Sequence, residues 1–365
     1  MSSAKHNRTE IRGTRGRTAT PALAAAIIFV LAAFATGSGQ AQTFTTLADF
    51  DGSANGANPY LGYPIAISGG NGYGMTSGGG TYDQGTVFEV TPSGTVTTLY
   101  TFCSQVNCMD GAEPFSGLLI SGGNGYGTTY WGGINGKGTI FKITPTGQLT
   151  TLHSFAGGPA EGAYPIAGLV QVGGNFYGTT QLGGTNGLGT IYEMTPAGQL
   201  TTLYSFCSQP ACADGDVPYA GLIQGANGNL YGTTFLGGAS GNGTVFEITP
   251  AGQLTTLYSF CAQTNCTDGA SPYAGLVQAG NGNLYGTTTD GGANSGGTIF
   301  EITPGGQLTT VYNFCSVWAA LTVFTRTPDC SWRVTGTSTE RLLVPTALME
   351  SSPSELCLEL RSRVS

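Results

Sequence analysis

Six cysteines stand in three identically spaced pairs: Cys103 with Cys108, Cys207 with Cys212, and Cys261 with Cys266, each C-x4-C. Thiols so placed either bond to one another or hold a metal. A structural zinc needs four Cys or His ligands. Each pair offers two, and no His accompanies any of them. The equivalent segments after Phe50 and Phe155 lack both cysteines at once, as in FAGGPAEGAYP. Joint loss is what a local disulfide predicts. Each bridge closes a small loop and adds about 2 kcal/mol on the chain-entropy account.

An Asp-Gly step follows each pair, at Asp110, Asp214 and Asp268, and a proline follows at Pro114, Pro218 and Pro272. Loop carboxylates ringing one face could hold calcium or sugar hydroxyls, which makes these three Asp the weak ligand candidates. The reading preferred here is that each Asp hydrogen-bonds its own turn while Gly supplies positive φ, because the spacing of a dedicated calcium loop is absent. No cofactor is expected, calcium being the one candidate. Glu89, Glu193, Glu247 and Glu301 occupy one recurring position, but Lys142 takes it in the second copy, which argues against a shared catalytic role. Tyr73, Tyr126, Tyr177, Tyr231 and Tyr285 of the YGT motif read as packing residues. Of the two histidines, His6 lies in the N-terminal leader and His153 replaces the tyrosine found as Tyr100, Tyr204 and Tyr258, so it reads as a packing variant. No Ser-His-Asp set, nucleotide-binding loop or metal cluster is recognisable.

What positions these residues is a repeat. One copy, 281–314, reads NGNLYGTTTDGGANSGGTIFEITPGGQLTTVYNF, and its final Phe recurs at Phe102, Phe155, Phe206, Phe260 and Phe314, in steps of 51–54 residues. A partial first copy, TFTTLADF, runs over 43–50. Within the last copy four apolar runs, PYAGLVQ (272–278), NLYGTT (283–288), GTIFEIT (297–303) and QLTTVYNF (307–314), are separated by Gly, Asn and Pro. Such runs are strands, and connections such as DGGANSG and TPGGQ suit hairpins. Four antiparallel strands in about 50 residues make one propeller blade.

The combination of LYGTT, GG-x-x-G-x-GT-[VI]-F-E-[IV]-TP and LTTLYSF resembles the Gloeo/Verruco tandem repeat, GloVer, of exported bacterial proteins, over 43 to about 316. The resemblance implies a propeller-forming surface protein with a variable C-terminal anchor, and no shared activity.

The chain of 365 residues has 9% charged residues and 61 glycines. Low charge suggests disorder, but periodic Val, Ile, Leu, Phe and Tyr supply apolar surface to bury. Between 42 and 316 the only Lys or Arg are Lys137 and Lys142, against fourteen Asp and Glu. Phosphate binding needs clustered cations, so nucleic acid and anionic lipid are excluded as partners. Residues 1–20 carry Lys5, Arg8, Arg12, Arg15 and Arg17, the apolar run PALAAAIIFVLAAFATG follows over 21–37, and Gly39 and Ala41 precede Gln42 at cleavage spacing. This is a signal peptide over 1–41, with an uncleaved anchor as the alternative. Export, to periplasm, cell surface or medium, puts the cysteines in an oxidising space.

At Val317 the pattern stops, and five Arg appear over 317–365 with a single glycine, Gly336. Codons can be chosen for 319–340 so that reading from the third base gives CADGLYPYAGLLLASDGNFYGT, and PSELCLELR can likewise yield GTVFRIT. The tail therefore reads as a sixth repeat in the wrong frame, expected to be irregular. That reading fails if the gene's codons in the other frame do not spell the repeat.

The expected architecture is all-β: a propeller of four-stranded antiparallel blades, about five plus an incomplete sixth, with an irregular C-terminal tail. Its repeats run over about 43–95, 96–148, 149–199, 200–253 and 254–307, with a closing strand at 308–316. As written, the chain makes either a five-bladed ring with a spare strand or an open arc. The function expected is noncatalytic binding of a carbohydrate or protein partner through loops at one end. The alternatives are a polysaccharide-acting enzyme, which would need a carboxylate pair or His-centred group at one unusual point, and a structural surface protein that lost its anchor.

Overall fold

A computed structural model describes residues 46–59, 65–315 and two short paired strands, Phe324–Arg326 and Trp332–Val334. From Leu47 onward these residues belong to one unit. The expected signal peptide and the rest of the expected out-of-frame tail lie outside the described residues.

Five four-stranded antiparallel sheets follow one another along the chain, each with its strands in sequence order. The first comprises Ala66–Ser68, Asn71–Thr76, Thr86–Val90 and Val96–Thr101. The second comprises Leu119–Ser121, Asn124–Thr129, Thr139–Ile143 and Leu149–Ser154. The third comprises Val170–Val172, Asn175–Thr180, Thr190–Met194 and Leu200–Ser205. The fourth comprises Ile223–Gln224, Leu230–Thr234, Thr244–Ile248 and Leu254–Ser259. The fifth comprises Val277–Gln278, Leu284–Thr288, Thr298–Ile302 and Leu308–Asn313. This is the meander of propeller blades, arising because Gly-rich turns join apolar runs too short to pair with anything but their neighbours.

Successive sheets pack face to face. Tyr126, Ile140 and Phe155 of the second sheet share a core with Phe176, Tyr192 and Met194 of the third. The same set recurs as Tyr177, Ile191 and Phe206 against Leu230, Phe246 and Ile248, and as Tyr231, Val245 and Phe260 against Leu284, Phe300 and Ile302. The Phe closing each unit meets the third-strand aromatic of the next sheet edge-on: Phe102 on Phe141 at 5.2 Å, Phe206 on Phe246 at 5.3 Å, Phe260 on Phe300 at 5.1 Å. The repeating Phe therefore belongs to the joint between sheets. Offset aromatic pairs of this kind add about 0.5–1.5 kcal/mol beyond the area they bury.

The fourth strand carries a bulge that serves the same joint. Val87 pairs with Tyr100 and Phe88 with Thr98, so Leu99 is the extra residue. Its carbonyl oxygen would lie 2.4 Å from a Cβ at Gly147 in the turn of the next sheet, where φ is +82°. Only glycine fits there.

Two expectations are adjusted. The first strand, expected over 272–278, is Val277–Gln278 only. Its upstream PYAG segment has a Pro without a donor and runs beside its counterpart in the neighbouring unit: a Cβ on Gly275 would come 4.0 Å from the Gly221 carbonyl oxygen. The TFTTLADF run is no strand over its described part, 46–50, where no strand pairs with it. Large side chains stay uncovered at the ends of the array, Ile67 (71% exposed) on the first sheet and Val277 (67%) and Val311 (54%) on the fifth.

Candidate functional site

Each cysteine pair is joined: Cys103 to Cys108, Cys207 to Cys212 and Cys261 to Cys266, with Cα atoms 3.9–4.0 Å apart. The loop these bridges close wraps the aspartate that follows. Asp214 is buried and accepts hydrogen bonds from the Tyr204 hydroxyl (2.8 Å), the Ser208 amide (2.9 Å), the Ser208 hydroxyl (3.0 Å) and the Gln209 amide (3.1 Å). Asp110 repeats this with Tyr100, Ser104 and Gln105, and Asp268 with Tyr258, Ala262 and Gln263. These carboxylates tie loop to sheet, as anions held by fixed N–H and O–H donors. All three are fully buried. Among the described residues no group of three or more His, Cys, Asp or Glu could hold a metal. Burial, reinforced by the neighbouring carboxylate and opposed by the serine hydroxyl, pushes the phenols of Tyr100 and Tyr204 up to about 12.

The recurring glutamates also close on themselves. Strand register sets Tyr73 opposite Glu89, Tyr177 opposite Glu193 and Tyr231 opposite Glu247. Each of these hydroxyls donates to its partner's Oε1 at 2.7 Å, and Asn71, Asn175 and Asn229 donate to the same oxygens at 2.7 Å. Asn283 holds Glu301 alike. Burial first, then the bond to glutamate, raises Tyr177 and Tyr231 to about 12. In the second sheet Lys142 lies opposite Tyr126, so the triad is absent there.

One place departs from this pattern. Where three units pair Tyr with the Asp that follows a disulfide loop, the unit after Phe155 pairs His153 Nε2 with Glu161. Glu161-Gly162 takes the place of Asp-Gly, and Gly162–Ala163 pairs with Leu182–Gly183. From Phe155 to Pro165 the loop is two residues shorter than from Phe206 to Pro218. Beside it the Lys137 ammonium donates to the Tyr164 hydroxyl at 2.5 Å. Trp131, 41% exposed, sets its ring 4.8 Å from Tyr164 and edge-on to Tyr130 at 5.2 Å. An open groove of about 400 Å³ runs along this loop, lined by Lys137, Gly158, Pro159, Tyr164, Leu182 and Thr185 among others.

Sequence reasoning found His153 as a variant but did not pair it with Glu161. Aligning FAGGPAEGAYP on the Asp-Gly of the other copies would have found the partner. Lys137, Trp131 and Tyr164 come from different turns, and no spacing announces that they meet. A second aromatic group joins the fourth and fifth units, Tyr219 stacking on Tyr273 at 4.7 Å with Phe235 edge-on to Tyr219.

The family model described as Gloeobacter/Verrucomicrobia repeat matches residues 32–224 and 172–339. Among curated proteins none matches the chain. Solved structures similar to it include a Mycobacterium tuberculosis puromycin-hydrolyzing peptidase (13% identity, 70% of this chain and 37% of that one, TM-score 0.46). An ulvan lyase of polysaccharide lyase family PL25 is similar at 14% identity over 70% of this chain and 73% of that one, TM-score 0.42. A sucrose-6-phosphate hydrolase from Lactobacillus gasseri is similar at 14% over 68% and 59%, TM-score 0.40. At these identities and scores none of them bears on activity.

Proposed function

The chain belongs to the Gloeobacter/Verrucomicrobia repeat family, and from that premise we propose that it is an exported, noncatalytic propeller that binds a carbohydrate or protein partner outside the cytoplasm through its loops. The observation that carries this reading is that the recurring carboxylates are already satisfied inside the fold. Asp110, Asp214 and Asp268 are buried on loop and sheet donors, and Glu89, Glu193 and Glu247 are held by their own Tyr and Asn. A general acid or base needs a proton-bearing group open to substrate. Three disulfides support export, since such bonds persist in oxidising compartments. Among the described residues no helix is long and apolar enough to cross a membrane.

The polysaccharide-acting enzyme remains as a second reading because of one observation: His153 and Glu161 form a single unusual pair beside a groove. Against it, the pair stands one-for-one where Tyr204 and Asp214 make a structural bond. One experiment separates the readings. The exported protein is applied to a glycan array and to an extracellular-protein array, and bound polysaccharides are assayed for new chain ends. Binding without turnover is expected. Turnover abolished by Glu161→Gln would replace this proposal with the enzyme, and no binding to either array would remove it.

A further inference from the structure

We infer that the groove beside the 155–165 loop is a saccharide subsite that receives one uronate residue of an otherwise neutral glycan. This rests on the binding function proposed above and adds the site and the ligand class. The first argument is position. The array repeats one surface, and a specific site requires a break in it. The loops after Phe50 and Phe155 both break it by lacking the cysteines, and the second is the one beside the groove: it is two residues shorter than the loop after Phe206, and His153–Glu161 replaces Tyr–Asp. Shortening leaves Gly157, Gly158 and Pro159 as a low rim along the groove.

The second argument is the aromatic wall. Tyr164 lines the groove, and Trp131, 41% exposed, extends that aromatic surface beyond it, its ring plane crossing those of Tyr164 at 4.8 Å and Tyr130 at 5.2 Å. A braced, exposed indole loses little rotamer freedom on binding, so its face is prepared for a ring with an apolar C–H side, as a pyranose has. A peptide carboxylate would leave that face empty.

The third argument is charge. Lys137 and Lys142 are the only Lys or Arg between 42 and 316, and Lys142 lies within a strand opposite Tyr126. Lys137 stands at the groove and donates one proton to the Tyr164 hydroxyl. An ammonium has three, which leaves two for a ligand carboxylate. Fourteen carboxylates over the same stretch repel a densely charged polyanion. An isolated uronate in a neutral chain satisfies both conditions.

The test uses the full exported protein and two probes: a xylo-oligosaccharide carrying one glucuronate, and the same oligosaccharide without it. Affinities are read by calorimetry and tryptophan fluorescence. The charged probe is expected to bind at least about tenfold more tightly, the scale of one charge-assisted hydrogen bond. Lys137→Gln should erase that preference while keeping weak binding of the neutral probe, and Lys137→Arg should keep it. Trp131→Ala should abolish binding of both. Lys137 lines the groove and Trp131 is exposed beside Tyr164 of its lining, and unchanged thermal unfolding of each variant would certify its fold. Equal affinity for the two probes, or charged-probe binding that survives Trp131→Ala, overturns the site. If the protein then still binds other array spots, the proposed function stands without this subsite; if it binds nothing, both fall.

Discussion

Phe50 lies against Phe88 with ring centroids 4.7 Å apart, the place on the first sheet that Phe102 takes on Phe141 of the second at 5.2 Å. The Leu47 carbonyl oxygen meets Gly94 as the Leu99 oxygen meets Gly147. Residues 46–50 thus pack as the last strand of a preceding sheet although no strand among the described residues pairs with them. Phe50 and Leu47 make at the first sheet the two contacts that Phe102 and Leu99 make at the second.

Phe50→Ala should therefore loosen the first sheet. The ring is only half-buried, so a loss of about 1–2 kcal/mol is expected, against about 3–5 kcal/mol for the fully buried Phe206→Ala. Denaturant titration of both variants gives the comparison. Equal losses would mean that 46–50 is held by more than this contact.

Tyr192 occupies the third-strand position that is Phe in every other sheet, and its hydroxyl is buried with no hydrogen-bond partner. Burial holds its phenol far above the ordinary tyrosine range. Tyr192→Phe removes an unsatisfied polar atom and should stabilise the protein by about 1–2 kcal/mol. A lower melting temperature would show that the hydroxyl has a partner.

Ala211 sits between the joined cysteines at φ +56°, where the sister loops carry Asn107 and Asn265 at φ +56° and +58°. Asn tolerates the left-handed region better than Ala. Ala211→Asn should raise stability by about 0.5–1 kcal/mol, measured by thermal unfolding with the disulfides intact.

Asp214→Ala would strand four donors around a buried hole, and a loss of about 3 kcal/mol or more is expected. Asp214→Asn, which keeps one acceptor oxygen, should cost less. If either carboxylate change instead removed calcium binding at constant stability, these residues would be ligands after all.

Alkaline pH should unfold the protein through its tyrosines. Tyr100, Tyr177, Tyr204 and Tyr231 are raised to about 12, from about 10 in the unfolded chain. A raised folded value means the native state keeps protons that the unfolded state sheds. Stability from this source is complete below about 10 and is lost on rising through about 12. On the acid side Glu301 is lowered by its bonds from Asn283 and Tyr285, and Glu247 is lowered because three such bonds outweigh its burial. Their contribution is present above the ordinary carboxylate range and fades as pH falls through the lowered values. Midpoints of urea unfolding across pH, with phenolate absorbance, test both arms. A flat midpoint between pH 10 and 12 would count against the buried phenols.

The blade was legible in the chain because its causes are local. Gly and Asn at turns, alternating apolar runs and the C-x4-C spacing act over a few residues; the first two recur in all five units and the third in three. The inward course of Asp214, the grip of Tyr231 and Asn229 on Glu247, and the meeting of Trp131, Lys137 and Tyr164 were settled by tertiary structure. Those contacts depend on strand register and on how one sheet lies on the next, and a side chain's neighbour across a joint leaves no mark at any fixed distance along the sequence.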